Sequence, residues 1–198
     1  MSMKPFVLNV NAFTYAVCMA GMISVTGCVS TPVIDAGAQW EEVSRAGMLF
    51  GEGVVADKSG MVYSSDITNT AAIKENNPGG IIWRFDPRTG QAERFLQPSG
   101  MSNGLNIDKN GDLLIGQGSD GGGRGVMRMN LATRALSPVA KTFNGKQFNA
   151  VNDVVSDAQG RIYFTDVRIN GNDFMELPNS VYRVDPNGTI TEIGRAHV

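Results

Sequence analysis

The stretch DVVSDAQGRIYFTD, residues 153–166, decides the fold because two similar stretches precede it. They are GVVADKSGMVYSSD at residues 53–66 and GLNIDKNGDLLIG at residues 104–116. Each copy is an apolar segment, an Asp-x-x-Gly turn and a second apolar segment. The copies recur about every fifty residues, and a unit that repeats at this period predicts a propeller or an array.

A second half-repeat follows each copy and completes the repeating unit. It reads IIWRFDPRTG from Ile81, VMRMNLATRA from Val126 and VYRVDPNGTI from Val181. Two hairpins per unit make four antiparallel strands, which is one blade of a β-propeller. The turns agree, because Asp and Asn hydrogen-bond their own backbone and Gly accepts positive φ. No stretch after residue 30 has sustained helical periodicity, so we predict an all-β propeller with three four-stranded blades in this chain.

The charge of the chain is low and nearly balanced. The formal net charge is −2, and only 18% of the residues are charged. This composition offers no basic footprint for nucleic acid, so we expect no nucleic-acid partner.

The first residues have the pattern of a secretory leader. Lys4 supplies a small positive region, residues 13–25 are apolar but too short for a membrane span, and the sequence VTGC ends at Cys28. Small residues before a cysteine resemble the lipobox of bacterial lipoproteins, in which that cysteine is acylated. We expect residues 1–27 to be a lipoprotein-type signal peptide, Cys28 to be lipidated and residues 28–45 to be a tether. The alternative is a plain signal peptide with an incidental Cys28. The expected location is the bacterial cell envelope, lipid-anchored on the periplasmic side of the membrane or periplasmic.

The side chains available for catalysis are few. His197 is the only histidine, and the two cysteines, Cys18 and Cys28, lie in or at the end of the leader. A Ser-His-Asp triad, a histidine-rich zinc site and a thiolate metal site are therefore excluded from the globular part. Carboxylate, carboxamide and carbonyl oxygens remain, and they suit Ca²⁺, Mg²⁺ or Mn²⁺. The inventory points to an oxygen-ligated metal or to no metal.

Two motifs partly match known ligand-binding patterns, one for dinucleotides and one for calcium. GQGSDG at residues 116–121 matches the glycine pattern of a dinucleotide-binding loop, but GGRGVMRMN after it predicts a strand and not a helix. DKNGD at residues 108–112 resembles the start of a calcium loop, but it lacks the later Gly and Glu. We interpret the first as a loop between strands and the second as a turn.

Three longer segments resemble one family. They are LFGEGVVAD at residues 49–57, PSGMSNGLNIDKNGDLLIG at residues 98–116 and FNGKQFNAVNDVVSDAQGRIYFTDVR at residues 143–168. The chain resembles the gluconolactonase/regucalcin/luciferin-regenerating-enzyme family over residues 49–191. The resemblance implies a six-bladed propeller, a divalent metal in the central channel and hydrolysis of lactones or related esters.

The resemblance also assigns roles to individual residues. Glu52 matches the first metal-ligand Glu of the family, and Asn152 matches a position that is a metal ligand in some members and a substrate contact in others. Asn103 lies at the equivalent start of the inner strand of the second blade, facing the channel, which implies a role in binding the substrate or in supporting the metal ligands. Asp153 is expected to orient its loop. The alternative for these residues is a turn-forming role, which is common for Asn and Asp at strand starts.

Arg168 follows a predicted strand end and could reach a polar substrate at the channel mouth; a surface role is the alternative. Calcium is the favoured ion, with zinc, magnesium and manganese as alternatives. The family pattern also requires an Asn and an acid/base Asp on later blades. We expect that Asp beyond the C-terminus, so no catalytic residue is assigned within this chain.

The chain is therefore expected to hold about three of six blades, with the propeller at residues 46–191. Residues 192–198, EIGRAHV, resemble a translated sequencing adapter, so read-through is one interpretation and a natural tail that continues the strand is the other.

The function predicted from these observations is that of a fragment of an exported metal-dependent lactonase. Its partner would be a small-molecule lactone of the sugar type or a similar cyclic ester, and it would meet the membrane only through its N-terminal lipid. The truncated chain is expected to be inactive. The alternative is a non-catalytic, membrane-tethered binding propeller, because propellers host many unrelated functions. A calcium-regulated cytosolic protein is disfavoured by the leader.

Overall fold

The computed structural model describes residues 50–67, 79–118, 122–167 and 176–195, and residues 34, 36–39, 42, 47 and 48 ahead of them. The chain divides into two compact units, Met1–Trp40 and Glu41–Val198. All described strands belong to the second unit. The predicted signal peptide and Cys28 lie outside the described residues. Within the described ranges, no helical segment has the length and apolar character that a membrane span needs.

The described strands form three four-stranded antiparallel blades and one small hairpin. The first blade contains β1 (Gly51–Ala56), β2 (Val62–Asp66), β3 (Ile81–Asp86) and β4 (Gln91–Leu96). The second contains β5 (Ser102–Ile107), β6 (Leu113–Gln117), β7 (Gly125–Met129) and β8 (Leu136–Ala140). The hairpin of β9 (Thr142–Phe143) and β10 (Lys146–Gln147) precedes the third blade, which contains β11 (Val151–Ser156), β12 (Ile162–Asp166), β13 (Ser180–Val184) and β14 (Ile190–Arg195). In each blade the strands pair in chain order, which confirms the predicted all-β, four-stranded blades.

The Asp-x-x-Gly turns join the first two strands of every blade. In the second blade, Asp108 Oδ1 accepts hydrogen bonds from the N–H groups of Asn110 at 2.8 Å and Asp112 at 3.1 Å. Gly111 has φ +86°, a left-handed conformation in which a side chain is strained. The interpretation of residues 108–112 as a turn is therefore confirmed.

The described part of the glycine-rich motif at residues 116–121 lies at the end of β6 and directly after it. Gly116 and Gln117 end β6, and Gly125 begins β7, so no helix follows the described part of the motif. Gly118 and residues 122–124 are therefore a connection between strands, as predicted, whereas Gly116 and Gln117 belong to β6 and residues 119–121 are outside the described residues.

The blades pack face to face around two apolar clusters, and β6 contributes to both. Leu113 and Ile115 belong to the cluster between the first and second blades, whereas Leu114 belongs to the cluster between the second and third. All three are fully buried. Since alternate residues of a strand point to opposite faces, the second blade is covered on both sides. Burial of each of these three side chains stabilises the fold by about 1.5–3 kcal/mol.

Residues 192–195 form the end of β14, where Ser180 pairs with Arg195. Glu192 accepts a hydrogen bond from Ser180 Oγ at 2.7 Å. The origin of residues 192–198 stays a prediction.

Candidate metal and substrate site

The first strands of the three blades lie against one another in turn, β1 against β5 and β5 against β11. Each of these inner strands shifts its register near its start. In β11, Val151 pairs with Asp166 and Val154 with Phe164, so two residues of β11 oppose one residue of β12. The same shift follows Gly51 in β1 and Ser102 in β5. Each inner strand therefore carries a β-bulge, a feature that redirects side chains.

The first residue of the bulge is Glu52 in β1, Asn103 in β5 and Asn152 in β11. These are the residues to which the resemblance gave the metal and substrate roles. The structure places them at one equivalent position of three adjacent inner strands.

Two glycines bring the bulges of neighbouring strands into backbone contact. A Cβ atom on Gly53 would lie 2.7 Å from the Leu105 nitrogen, and one on Gly104 would lie 2.9 Å from the Asn152 carbonyl oxygen. Real Cβ atoms do not approach so closely, so both positions require glycine. Glu52 and Asn103 directly precede the two glycines, and Asn152 is contacted by Gly104. The three candidate residues therefore lie side by side on neighbouring inner strands.

The three side chains differ in exposure. Glu52 is exposed and Asn152 is half-buried, whereas Asn103 is only 6% exposed. Within the described part of the chain, none of the three side chains has a hydrogen bond or an ion pair. Buried polar groups usually have hydrogen-bond partners, but the Asn103 amide has none among the described residues. Together with the solvent-exposed carboxylate of Glu52 on the neighbouring strand, it suits a ligand-binding site.

The donor set fits a hard cation. Among the described residues, no three His, Cys, Asp or Glu side chains cluster as a metal site. A metal site on these inner strands would combine the Glu52 carboxylate with amide oxygens such as that of Asn152. Such oxygens are the ligands that Ca²⁺ and Mg²⁺ prefer, whereas Zn²⁺ favours nitrogen and sulfur.

Asp153 is tied to its own strand. Its Oδ1 accepts a hydrogen bond from the Val154 N–H at 2.8 Å, and its N–H donates to Thr165 Oγ1 at 3.0 Å. The carboxylate thus stabilises the bulge that displays Asn152. Arg168 lies outside the described residues, so its predicted substrate contact stays a prediction.

Each inner strand is also held by a buried polar side chain at the end of the second strand. In the third blade, Asp166 accepts hydrogen bonds from the N–H groups of Ala150 at 2.9 Å and Asn149 at 3.0 Å. In the first blade, Asp66 accepts one from the Phe50 N–H at 2.9 Å. Asp66 and Asp166 thus hold the backbone two to three residues before Glu52 and Asn152, where the chain enters β1 and β11.

Burial raises the pKa of Asp166 to about 6, although the N–H groups of Asn149 and Ala150 and the charge of Arg124 favour its ionised form. The sequence reasoning missed these positioning carboxylates. Their signal was the aspartate that closes the first and third copies of the repeat, at positions 66 and 166.

In the second blade the equivalent residue is Gln117. Its Nε2 donates to the Ser99 carbonyl at 2.9 Å, and its Oε1 accepts from Lys141 Nζ at 2.8 Å. A neutral amide and a lysine thus stand where the other blades have a carboxylate.

Comparison with known proteins concerns the family and the fold of the chain. The family described as SMP-30/Gluconolactonase/LRE-like region matches residues 50–197. A gluconolactonase from Zymomonas mobilis is 29% identical over 175 residues, covering 82% of this chain and 45% of the relative.

Two solved structures share the fold. A gluconolactonase from Xanthomonas campestris is 21% identical, with a TM-score of 0.62 over 74% of this chain and 48% of that protein. Regucalcin, a calcium-binding protein from Agrobacterium tumefaciens, is 21% identical, with a TM-score of 0.52 over 75% of this chain and 44% of that protein. The chain spans about half the length of the relatives it matches.

Proposed function

The chain belongs to the SMP-30/gluconolactonase/LRE-like family, and on that premise we propose that its three blades are part of a lactone-hydrolysing propeller. The substrate class is a sugar lactone or a similar cyclic ester. One observation carries the proposal: Glu52, Asn103 and Asn152 occupy the same bulge position in three adjacent inner strands. In the described residues their side chains have no partners.

We propose that Glu52 and Asn152 would hold a divalent metal through their side-chain oxygens. When bound, such a cation polarises an ester carbonyl and lowers the pKa of water. Calcium is the favoured ion, which agrees with the calcium binding of the Agrobacterium relative. Zinc, magnesium and manganese are the alternatives.

Asn103 would position the substrate. Its amide provides both donors and an acceptor, so it can hold a hydroxyl or the ring oxygen of a lactone. The residue is only 6% exposed, so its amide is largely shielded from bulk water. Hydrolysis also needs a group that moves a proton, and we propose that an aspartate outside these three blades supplies it.

We further propose that the protein is exported and held at the envelope by a lipid on Cys28. The support is the apolar segment at residues 13–25 and the VTGC sequence that follows it. Mass spectrometry of the membrane fraction tests this, with Cys28→Ser expected to move the protein into the soluble fraction.

The test of the lactonase proposal uses the protein encoded by the complete source gene. Metal-stripped protein would be assayed for lactone hydrolysis while Ca²⁺, Mg²⁺, Mn²⁺ or Zn²⁺ is added back, beside Glu52→Gln. We expect metal-dependent turnover that Glu52→Gln abolishes. A folded protein that binds no divalent ion and hydrolyses no lactone would instead support the non-catalytic binding propeller.

A further inference from the structure

Two half-buried cations at one end of the second blade stand apart from the other basic residues. Most described arginines contact a carboxylate at 3.6 Å or less: Arg84, Arg88, Arg128, Arg134, Arg161, Arg183 and Arg195. Arg94 lies over the Trp83 ring at 5.5 Å. Arg124 has neither kind of partner among the described residues. Lys141 resembles it, since the other described lysines, at positions 58, 109 and 146, are exposed.

Lys141 is held only by neutral oxygens. Its Nζ donates to Gln117 Oε1 at 2.8 Å and to the Gly123 carbonyl at 2.9 Å. Burial lowers the pKa of this amine, because the surroundings remove water without supplying a negative charge. One N–H of the ammonium has no partner in the described residues.

Arg124 is also held by neutral oxygens. Its Nε donates to the carbonyls of Phe148 at 2.8 Å and Asn149 at 2.9 Å. Its φ of +45° is unusual for a residue with a side chain, and such backbone strain is concentrated at functional sites. Asp166 interacts electrostatically with Arg124, but its carboxylate binds the N–H groups of Asn149 and Ala150 and forms no ion pair with Arg124.

Both cations are attached to the loop before β7: Arg124 belongs to it, and Lys141 binds it from the end of β8. The Gly123 carbonyl that accepts from Lys141 belongs to the residue before Arg124. The Gly123 N–H donates to the Gly100 carbonyl at 3.0 Å, and the Gly118 N–H donates to the Met101 carbonyl at 2.8 Å. Gly118 and Gly123, the described residues on either side of the gap, therefore pack on the segment that enters β5 two residues before Asn103.

The same loop also reaches the entrance to β11. Arg124 contacts the Asn149 carbonyl, and Asn149 precedes Asn152 by three residues. Three extended residues span at most about 10 Å. Lys141 binds Gln117, which pairs with Ser102, the residue before Asn103. A ligand that occupies the bulges of β5 and β11 is therefore close to the groups that hold both cations.

We propose that Lys141 and Arg124 form a subsite for an anionic oxyacid group, a carboxylate or a phosphate, on a ligand bound beside Asn103 and Asn152. In combination with the proposed function, the substrate is a lactone that carries such a group away from its ring ester. The choice of a lactone rests on the proposed function, whereas anion binding by the two cations does not.

The test is calorimetric titration of the full chain in EDTA, so that no metal contributes to binding. The probes are glucarate, which has two carboxylates, gluconate, which has one, inorganic phosphate, and uncharged gluconolactone. We expect an anionic probe to bind more tightly than gluconolactone, and the stronger of glucarate and phosphate identifies the preferred acid. Lys141→Met should weaken this binding about ten- to a hundredfold, the effect of losing one charged hydrogen bond.

The matched control is Lys146→Met, which removes an exposed lysine and should change the affinity less than twofold. Lys141→Arg keeps the charge and should retain most of the binding. Equal affinities of Lys141→Met and the wild type, or no binding of any anionic probe, would overturn the subsite. If Lys141→Met does not fold, NMR titration of the wild-type lysine amines decides: glucarate or phosphate should raise the pKa of Lys141, and an unchanged pKa overturns the proposal.

Two measurements on the wild-type protein separate this inference from the proposed function. They are anion binding in EDTA and metal-dependent lactone hydrolysis by the protein encoded by the complete source gene. Anion binding without turnover would refute the lactonase proposal alone, and turnover without anion binding would refute the subsite alone.

Discussion

The backbone of Gly104 lies directly against Asn152, so that a Cβ atom at position 104 would fall 2.9 Å from the Asn152 carbonyl oxygen. The same Cβ would fall 2.6 Å from the Asp153 Cα. The inner strands of the second and third blades therefore touch at their bulges. This contact sets the separation of Asn103 and Asn152, and any residue larger than glycine must push the two strands apart.

Gly104→Ala is accordingly expected to destabilise the chain by about 1–3 kcal/mol, the usual cost of overpacking. Gly194→Ala is the matched control in β14, because a Cβ there would have no heavy atom within 4 Å. It should change the free energy of unfolding by no more than about 0.5 kcal/mol. Urea unfolding measures both, and equal effects of the two substitutions would contradict the close contact.

Asp166 predicts a pH dependence of stability. Its pKa in the folded protein is about 6, above its ordinary value of 3.8. The protonated acid is therefore favoured by folding, and its contribution is complete below about pH 4 and is lost as the pH rises through 6. The shift corresponds to about 3 kcal/mol at most.

The measurement is the free energy of unfolding of the wild type and of Asp166→Asn between pH 4 and pH 7.5. Asparagine does not titrate, so the difference between the two proteins isolates Asp166 from the other carboxylates. The wild type should lose up to about 3 kcal/mol relative to the variant across this range. A difference that stays constant with pH would show that the carboxyl group is not desolvated as the structure indicates.

Much of this architecture is readable from the repeated copies alone. The Asp-x-x-Gly turns depend on hydrogen bonds within a few residues, so their sequence signal is local and the structure confirms them. Aligning the copies also places Glu52, Asn103 and Asn152 in register, since each stands five positions before its turn aspartate.

The β-bulges and the positions of Lys141 and Arg124 could not be predicted from the sequence. A register shift depends on the pairing of two strands, and Lys141 reaches Gln117 across 24 positions of the chain. Arg124 meets Asn149 across 25 positions. Contacts of this kind arise only when the blade closes and the next blade packs on it, and no local pattern marks them.

Asp108 should matter more for stability than a surface acid. Its side chain is 3% exposed and contacts Arg128 Nε at 3.0 Å, in addition to the two N–H groups of its turn. Asp108→Asn removes the charge and leaves Arg128 unpaired, which should cost about 1–3 kcal/mol. Asp86→Asn is the control, since Asp86 pairs with an exposed Arg88 and such pairs contribute about 0.2–1 kcal/mol. Thermal unfolding that ranks the two substitutions in the opposite order would refute this assignment.

The inner-strand site makes the most direct prediction about function. In the protein encoded by the complete source gene, Glu52→Gln should weaken Ca²⁺ binding about tenfold or more, because a carboxylate ligand supplies charge that an amide does not. Asn152→Ala should weaken it less, since a neutral oxygen is lost. Glu93→Gln is the control, because Glu93 lies in the same blade as Glu52 but pairs with Arg84 at 2.6 Å. Calorimetry that finds the same Ca²⁺ affinity in Glu52→Gln and Glu93→Gln would place the metal elsewhere, because the bulge position of Glu52 would then be without effect on the ion.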